Sequence, residues 1–394
     1  MSHFDRIIDR HGTDCVKWDT YGPDVLPMWV ADMDFAAPPK VLDAIRAISE
    51  HGVLGYGSQA GNLALLTAWQ DRLSERYGWQ VAVEELIPLP GVVVGTNLVC
   101  RAIGEPGLEA LVPEPVYGPL RSAPSYGKMK MVPVTLSPDS TGNYHLASDA
   151  IRVAITERSR VLILCNPHNP LGRVFTRAEL EGVAELALRH DLLILSDEIH
   201  CDFMLGESRH IPIATLGEEV ARRTITLMAP SKTYNIAGLH SSVAIVHNPE
   251  LLARLKREMA GIVQGLDIVA RAATVAAFRH SQPWLDELLG YLQANRDLLS
   301  QAVRERLSGV RMAPCEGTYL AWLDFSAGRL TEPASVYLRR QARVALNAGT
   351  DFGPGLEAYA RLNFGCPRSL LEQAIECMAA VWPPRSEYQC NTEG

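Results

Sequence analysis

Through the middle of the chain, short runs of β-branched and other apolar residues alternate with longer stretches in which apolar positions recur every three or four residues. The short runs are Val92-Val93-Val94, Ala110-Leu111-Val112, Val161 to Cys165, Leu192 to Ser196, Thr224 to Leu227 and Val243 to Val246. Strands this uniformly apolar are buried on both faces, as in a parallel sheet covered by helices. Between the third and fourth runs the spacing predicts a helix from Thr176 to His190, opened by Thr176 with Glu179 three positions on in capping-box order. The expected architecture is α/β.

After about residue 285 the texture changes. A helical pattern runs from Leu285 to Leu307, Gly317 to Leu323 reads as a strand, and more helix and strand follow to Trp382, which predicts a smaller α+β domain. The first forty or so residues, rich in Pro, Gly and aromatics, are too irregular to fold alone and are expected to lie against that tail or a partner subunit. The expected division is an N-terminal segment at 1–45, a large domain at 46–285 and a small domain at 286–394. No internal repeat, low-complexity block or long linker separates them, so they pack closely.

Composition narrows the function. The 394 residues are 47% hydrophobic and 21% charged, which leaves ample material for a core. Lys and Arg number 37 against 45 Asp and Glu, a net charge of −8, so no global positive field gathers nucleic acid or anionic lipid. The opening Met1-Ser2-His3-Phe4-Asp5-Arg6 lacks the order of a signal peptide, and no apolar run approaches a spanning helix, so a cytoplasmic location is expected. The eight cysteines, Cys15, Cys100, Cys165, Cys201, Cys315, Cys366, Cys377 and Cys390, are scattered without a Cys-x-x-Cys pair. Reduced thiols are expected, and no metal site.

Open α/β sheets bind ligands at the carboxyl ends of their strands. Three such ends carry polar groups: Asn166-Pro167-His168-Asn169-Pro170-Leu171-Gly172 after Cys165, Ser196-Asp197-Glu198-Ile199-His200 after Leu195, and Met228-Ala229-Pro230-Ser231-Lys232-Thr233 after Leu227. An Asp and a Lys at successive ends, 232 − 197 = 35 residues apart, supply what a pyridoxal phosphate site needs. The lysine holds the aldehyde as an imine and the carboxylate keeps the pyridine nitrogen protonated. Alone, a turn-capping Asp and a solvated Lys would account for the pair better.

The surrounding words decide. Asn166 to Arg173, Ser196 to His200 and Ser231-Lys232-Thr233-Tyr234-Asn235-Ile236-Ala237-Gly238-Leu239, in that order, resemble the fold-type I pyridoxal phosphate enzymes of the aspartate aminotransferase superfamily. Within it, Leu26-Pro27-Met28-Trp29-Val30-Ala31-Asp32-Met33-Asp34-Phe35, preceded by Arg10-His11-Gly12-Thr13-Asp14, resembles the MalY/PatB family of carbon–sulfur β-lyases, including cystathionine β-lyases. The resemblance continues from Gly349 to Arg368 and covers nearly the whole chain. It implies the fold-type I architecture: a large domain with a mostly parallel seven-stranded sheet flanked by helices, plus the smaller α+β domain.

Carried over position by position, the resemblance implies that Lys232 binds the cofactor and then removes the substrate α-proton. Asp197 salt-bridges the pyridinium nitrogen, Asn169 and His200 flank the phenolic oxygen, and Tyr117 stacks on the ring. Gly95 and Thr96, read as directly following a strand and opening a helix, receive the phosphate with Ser231. His240 stands eight residues after Lys232, where the superfamily often carries Arg or Lys. Arg361 binds the α-carboxylate, with the Ala31 backbone as a second contact, and Arg368 has a structural ion-pair role. Tyr56 reaches the phosphate from a neighbouring subunit and is a possible proton donor, so a homodimer is expected.

The implied reaction is β-elimination from a small amino acid with a sulfur leaving group, giving a thiol, pyruvate and ammonia. Two alternatives share these residues: an aminotransferase, and a family member with an added regulator-binding role.

Overall fold

The central sheet has seven strands: β1 (Leu86–Leu89), β2 (Glu109–Glu114), β3 (Lys130–Thr135), β4 (Ser159–Cys165), β5 (Leu193–Asp197), β6 (Thr224–Met228) and β7 (Ser242–Val246). Their order is β1-β7-β6-β5-β4-β2-β3. β7 runs antiparallel to both β6 and β1, and every other pair is parallel. Register brings Cys165 opposite Asp197 and Asp197 opposite Leu227, so β4, β5 and β6 end together at one edge. The computed structural model describes residues 2–383.

Both faces of the sheet are buried, which is why its inner strands read as unbroken apolar runs. Val161, Ile163, Leu193 and Leu195 pack on one face with the helix Val92–Ile103. Leu162, Leu164 and Ile194 pack on the other with the helix Arg177–Arg189. That second helix starts as expected: the Thr176 hydroxyl accepts from Glu179 N at 3.2 Å, and the Glu179 carboxylate accepts from Thr176 N at 2.8 Å.

The smaller domain carries an antiparallel sheet of β8 (Arg311–Met312), β9 (Leu320–Asp324), β10 (Asn347–Ala348) and β11 (Tyr359–Asn363), in the order β10-β11-β9-β8. The helices Gln282–Arg306 and Arg368–Val381 cover it. The N-terminal segment joins this body. Leu26–Pro27 pairs in parallel with Val344–Ala345, and the Phe4 ring meets Phe35 and Trp284 edge-on at centroid distances of 5.0 and 5.5 Å.

Several expectations need correction. Val92-Val93-Val94 is the first turn of a helix, because Gly91 turns the chain at φ +122° and Val92, with Val94 partly buried, packs against the sheet while Val93 faces outward. The strand expected at 317–323 begins only at Leu320, after Thr318 takes a left-handed φ of +68°. The expected divisions at 45 and 285 both fall inside helices, Pro39–His51 and Gln282–Arg306. Arg368 makes no ion pair among the described residues; its guanidinium lies over the Tyr291 ring at 5.4 Å. Cys390 lies outside the described residues, and the other seven cysteines are free. No described helix is long and apolar enough to cross a membrane.

Candidate active site

Where β5 ends, Asp197 is only 4% exposed. One carboxylate oxygen accepts from Ile199 N at 3.1 Å, and no described cation lies within ion-pair distance. Burial pushes its pKa up to about 7. Next to it, β6 runs into the short helix Pro230–Thr233, which carries Lys232. That helix is tied down from below: the Thr233 hydroxyl donates to Asp202 at 2.8 Å, and Asp202 pairs with Arg72 of the helix Gln59–Tyr77 at 2.6 Å. Lys232 Nζ donates to the Ala31 carbonyl at 2.7 Å, and desolvation takes its pKa down to about 8.

Arg361 enters from β11, 2% exposed. Its Nη1 donates to Asn169 Oδ1 at 2.8 Å, and its Nη2 donates to the Trp29 carbonyl at 2.8 Å and Asn347 Oδ1 at 2.7 Å. It has no carboxylate partner among the described residues, its Nε has no partner, and burial lowers its pKa to about 10. A buried carboxyl and a buried cation, each without a counter-ion, are costly to ionise or leave charged; a ligand of complementary charge removes the cost. His200 is also buried, with Nδ1 unpartnered, and burial takes its pKa well below the usual histidine value, so the ring is neutral. Tyr117 bonds Asn169 O through its backbone N at 3.1 Å and is 37% exposed.

Gly95 and Thr96, expected at the phosphate, do not open the helix. Gly95 and Thr96 belong to the second turn of the helix Val92–Ile103: Gly95 N donates to Gly91 O at 3.1 Å and the Thr96 hydroxyl to Val92 O at 2.9 Å. Both are buried, and a Cβ on Gly95 would meet Leu89 and Leu227. The first-turn N–H groups of Val92, Val93 and Val94 are the uncapped donors, because Gly91 has no side chain to cap them. Ser231 lies half-buried beside Lys232, and His240 is exposed at the left-handed end of the turn Ala237–Leu239. Tyr56 is fully exposed, at 106%, and meets none of the other site residues within this chain.

Reading the sequence missed three contributors. Tyr319 donates its hydroxyl to the same Ala31 carbonyl at 2.7 Å, Asn347 holds the outer edge of Arg361, and Asn363 grips the segment around Ala31. The one available signal was that Asn363 stands two positions after Arg361 and so shares its strand face.

These groups fit pyridoxal phosphate: an unpaired buried carboxylate for a pyridinium nitrogen, a desolvated amine for the aldehyde, and an uncapped helix start for the phosphate. The class so defined is the fold-type I pyridoxal phosphate enzymes. The family model for aminotransferase class I and II matches residues 23–378. The cystathionine β-lyase PatB of Bacillus subtilis is 37% identical over 96% of this chain and 99% of its own length. The protein MalY of Escherichia coli is 31% identical over 95% and 97%. Among solved structures, OvoB superposes with a TM-score of 0.92 at 40% identity, covering 97% of this chain and 100% of that one. The pyridoxal phosphate-bound C–S lyase of Staphylococcus hominis gives 0.89 at 31% identity, over 96% and 97%. The chain belongs to the aminotransferase class I and II family, and within it to the MalY/PatB group of pyridoxal phosphate-dependent carbon–sulfur β-lyases.

Proposed function

We propose that this enzyme cleaves the Cβ–S bond of cystathionine or a related cysteine S-conjugate, releasing the thiol and leaving a three-carbon fragment that water converts to pyruvate and ammonia. The nearly full-length likeness to the cystathionine β-lyase PatB favours elimination over transamination, and the site supports it in that Lys232 and Arg361 rest on carbonyls only two residues apart, Ala31 and Trp29. A carboxylate bound to Arg361 therefore places its α-carbon beside the lysine amine.

Bound pyridoxal phosphate supplies an electron sink for the pair left on the α-carbon. The chain's residues do the rest. Arg361 exchanges neutral acceptors for the substrate carboxylate, with the Ala31 backbone beside it, and fixes the amino acid's orientation. With the cofactor bound, Asp197 would keep the ring nitrogen protonated, and Asn169 and His200 would hold the ring oxygen. Tyr117 would stack on the ring, and the uncapped N–H groups of Val92 to Val94, with Ser231 and His240, would take the phosphate. Lys232, with its pKa near neutrality, accepts the α-proton and can return it to the departing sulfur.

Tyr56 enters the site of a second copy of the chain, so the enzyme works as a homodimer. Its full exposure, beside exposed Val53 and Leu54, supports this reading. Sedimentation tests the assembly, and Tyr56→Phe tests the contact through weaker cofactor retention.

The reaction is tested by incubating the holoenzyme with L-cystathionine or an S-alkyl-L-cysteine, with Lys232→Ala as the blank. Pyruvate and thiol should rise in equal amounts without any keto acid. If neither forms until a keto acid is added, and a new amino acid then appears, the reaction is transamination.

A further inference from the structure

We propose that Asn363 is a positioning residue of this active site: its side-chain amide bridges the carbonyls of Val30 and Asp32 and so holds the Ala31 carbonyl toward Lys232. Asn363 is fully buried on β11. Its Nδ2 donates to Val30 O at 2.5 Å and to Asp32 O at 2.6 Å, while its Oδ1 accepts from Gly365 N at 2.7 Å. Both amide protons and the amide oxygen are thereby used, so the side chain has one orientation. Its own backbone N donates to Met28 O at 2.9 Å, which fixes the strand against the same segment.

The two carbonyls flanking Ala31 are thus held by a single group. Arg361, two positions earlier on the same strand face, takes the Trp29 carbonyl, and Asn235 with Arg10 takes that of Met33. Ala31 is left facing inward, where its carbonyl accepts from Lys232 Nζ and from the Tyr319 hydroxyl, both at 2.7 Å. The charged groups around the lysine are Asp32, Asp197 and Arg361, the last of which opposes its protonation. In so dry a place an ammonium needs an acceptor at the moment the amine takes up a proton. The Ala31 carbonyl is that acceptor, and Asn363 sets its direction. This rests on the proposed role of Lys232 as the proton carrier.

The test titrates Lys232 directly in cofactor-free protein carrying ¹³C at the lysine ε-carbon. Six lysines give a spectrum simple enough to assign, with Lys232→Ala identifying the signal. Asn363→Ser removes the two amide donors, and its short hydroxyl cannot bridge both carbonyls; the Lys232 midpoint should fall by about one pH unit, a tenfold change in the protonation constant. Asn363→Leu, closer in volume, serves if the serine variant does not fold. Tyr319→Phe should move the midpoint up, because the carbonyl then serves the lysine alone while the ring keeps its packing. Opposite shifts in the two variants are what a merely structural role would not produce. A midpoint that stays put in Tyr319→Phe, or in a folded Asn363 variant, overturns the proposal. Neither substrate nor cofactor enters this measurement, so a failed pyruvate assay with shifted midpoints removes the lyase reading and leaves the clamp standing.

Discussion

Asn169 and Arg361, 192 positions apart, share a hydrogen bond of 2.8 Å. It joins the turn after β4 of the large sheet to β11 of the small one. The other acceptors of the guanidinium, Trp29 O and Asn347 Oδ1, are neutral as well. Arg361 is therefore held in place by neutral acceptors, with its charge left uncompensated, as the proposed carboxylate contact requires.

Arg361→Ala should accordingly raise KM for α-amino acid substrates, with a loss in kcat/KM of order 2–4 kcal/mol if a two-point charged contact disappears. Amines of the same shape that lack the carboxylate should bind the variant as they bind the parent. Spectral titration of the holoenzyme with both compounds measures this, and equal losses on both would make Arg361 a structural residue.

Asp197 gives a pH dependence whose sign follows from its burial. Its carboxyl keeps a proton in the folded chain up to about 7, whereas the unfolded chain releases it at 3.8. The contribution to stability is whole below the lower value and is lost as pH rises to the upper one. The loss is on the order of 4 kcal/mol across that window in cofactor-free protein. Calorimetry at pH 5 and pH 8 should show Tm falling in the parent and falling less in Asp197→Asn. Cofactor added at pH 8 should restore the parent and do less for the variant.

How much of this was legible in the sequence depended on where each residue finds its partner. β4, β5 and β6 were visible because burial on both faces makes them unbroken apolar runs, and the polar groups that follow them stand at strand ends. β1 and β3 were not, because they are the two edges: β1 contains Pro88, and β3 is half exposed and opens on Lys130. Val92 to Val94 misled because three β-branched residues in a row read as strand. Their helix follows from Gly91 and from packing on the sheet, not from local preference. Lys232, Asp197 and Arg361 were legible through the segments that contain them. Tyr319 and Asn363 were not, since they act on backbone carbonyls about 290 to 330 positions away, and a carbonyl leaves no mark in a sequence.

Beneath the lysine, Asp202 and Arg72 form a buried pair at 2.6 Å that also holds the Thr233 hydroxyl. Asp202→Ala leaves the Arg72 guanidinium buried without its anion, at a cost of about 3–5 kcal/mol. The expected outcome is a lower denaturation midpoint together with a weakened cofactor signal, since the turn carrying Lys232 loses its anchor. Thr233→Val breaks the same tether without stranding a charge and should affect the cofactor signal more than the midpoint.

Two glycines four residues apart separate the helix start from the helix interior as the phosphate site. Gly91 has φ +122° and nothing within 4 Å of where a Cβ would stand, so Gly91→Ala meets backbone strain alone, about 1–3 kcal/mol. Relief of that strain turns the N–H groups of Val92 and Val93 away from their present direction, and cofactor affinity should drop. Gly95→Ala instead drives a methyl group to within 2.9 Å of Leu89 and 3.0 Å of Leu227. Those contacts are with side-chain tips in the core, so Tm should fall while the cofactor dissociation constant holds. Titrating both cofactor-free variants with pyridoxal phosphate distinguishes the two positions, and the reverse pattern would return the phosphate to Gly95 and Thr96.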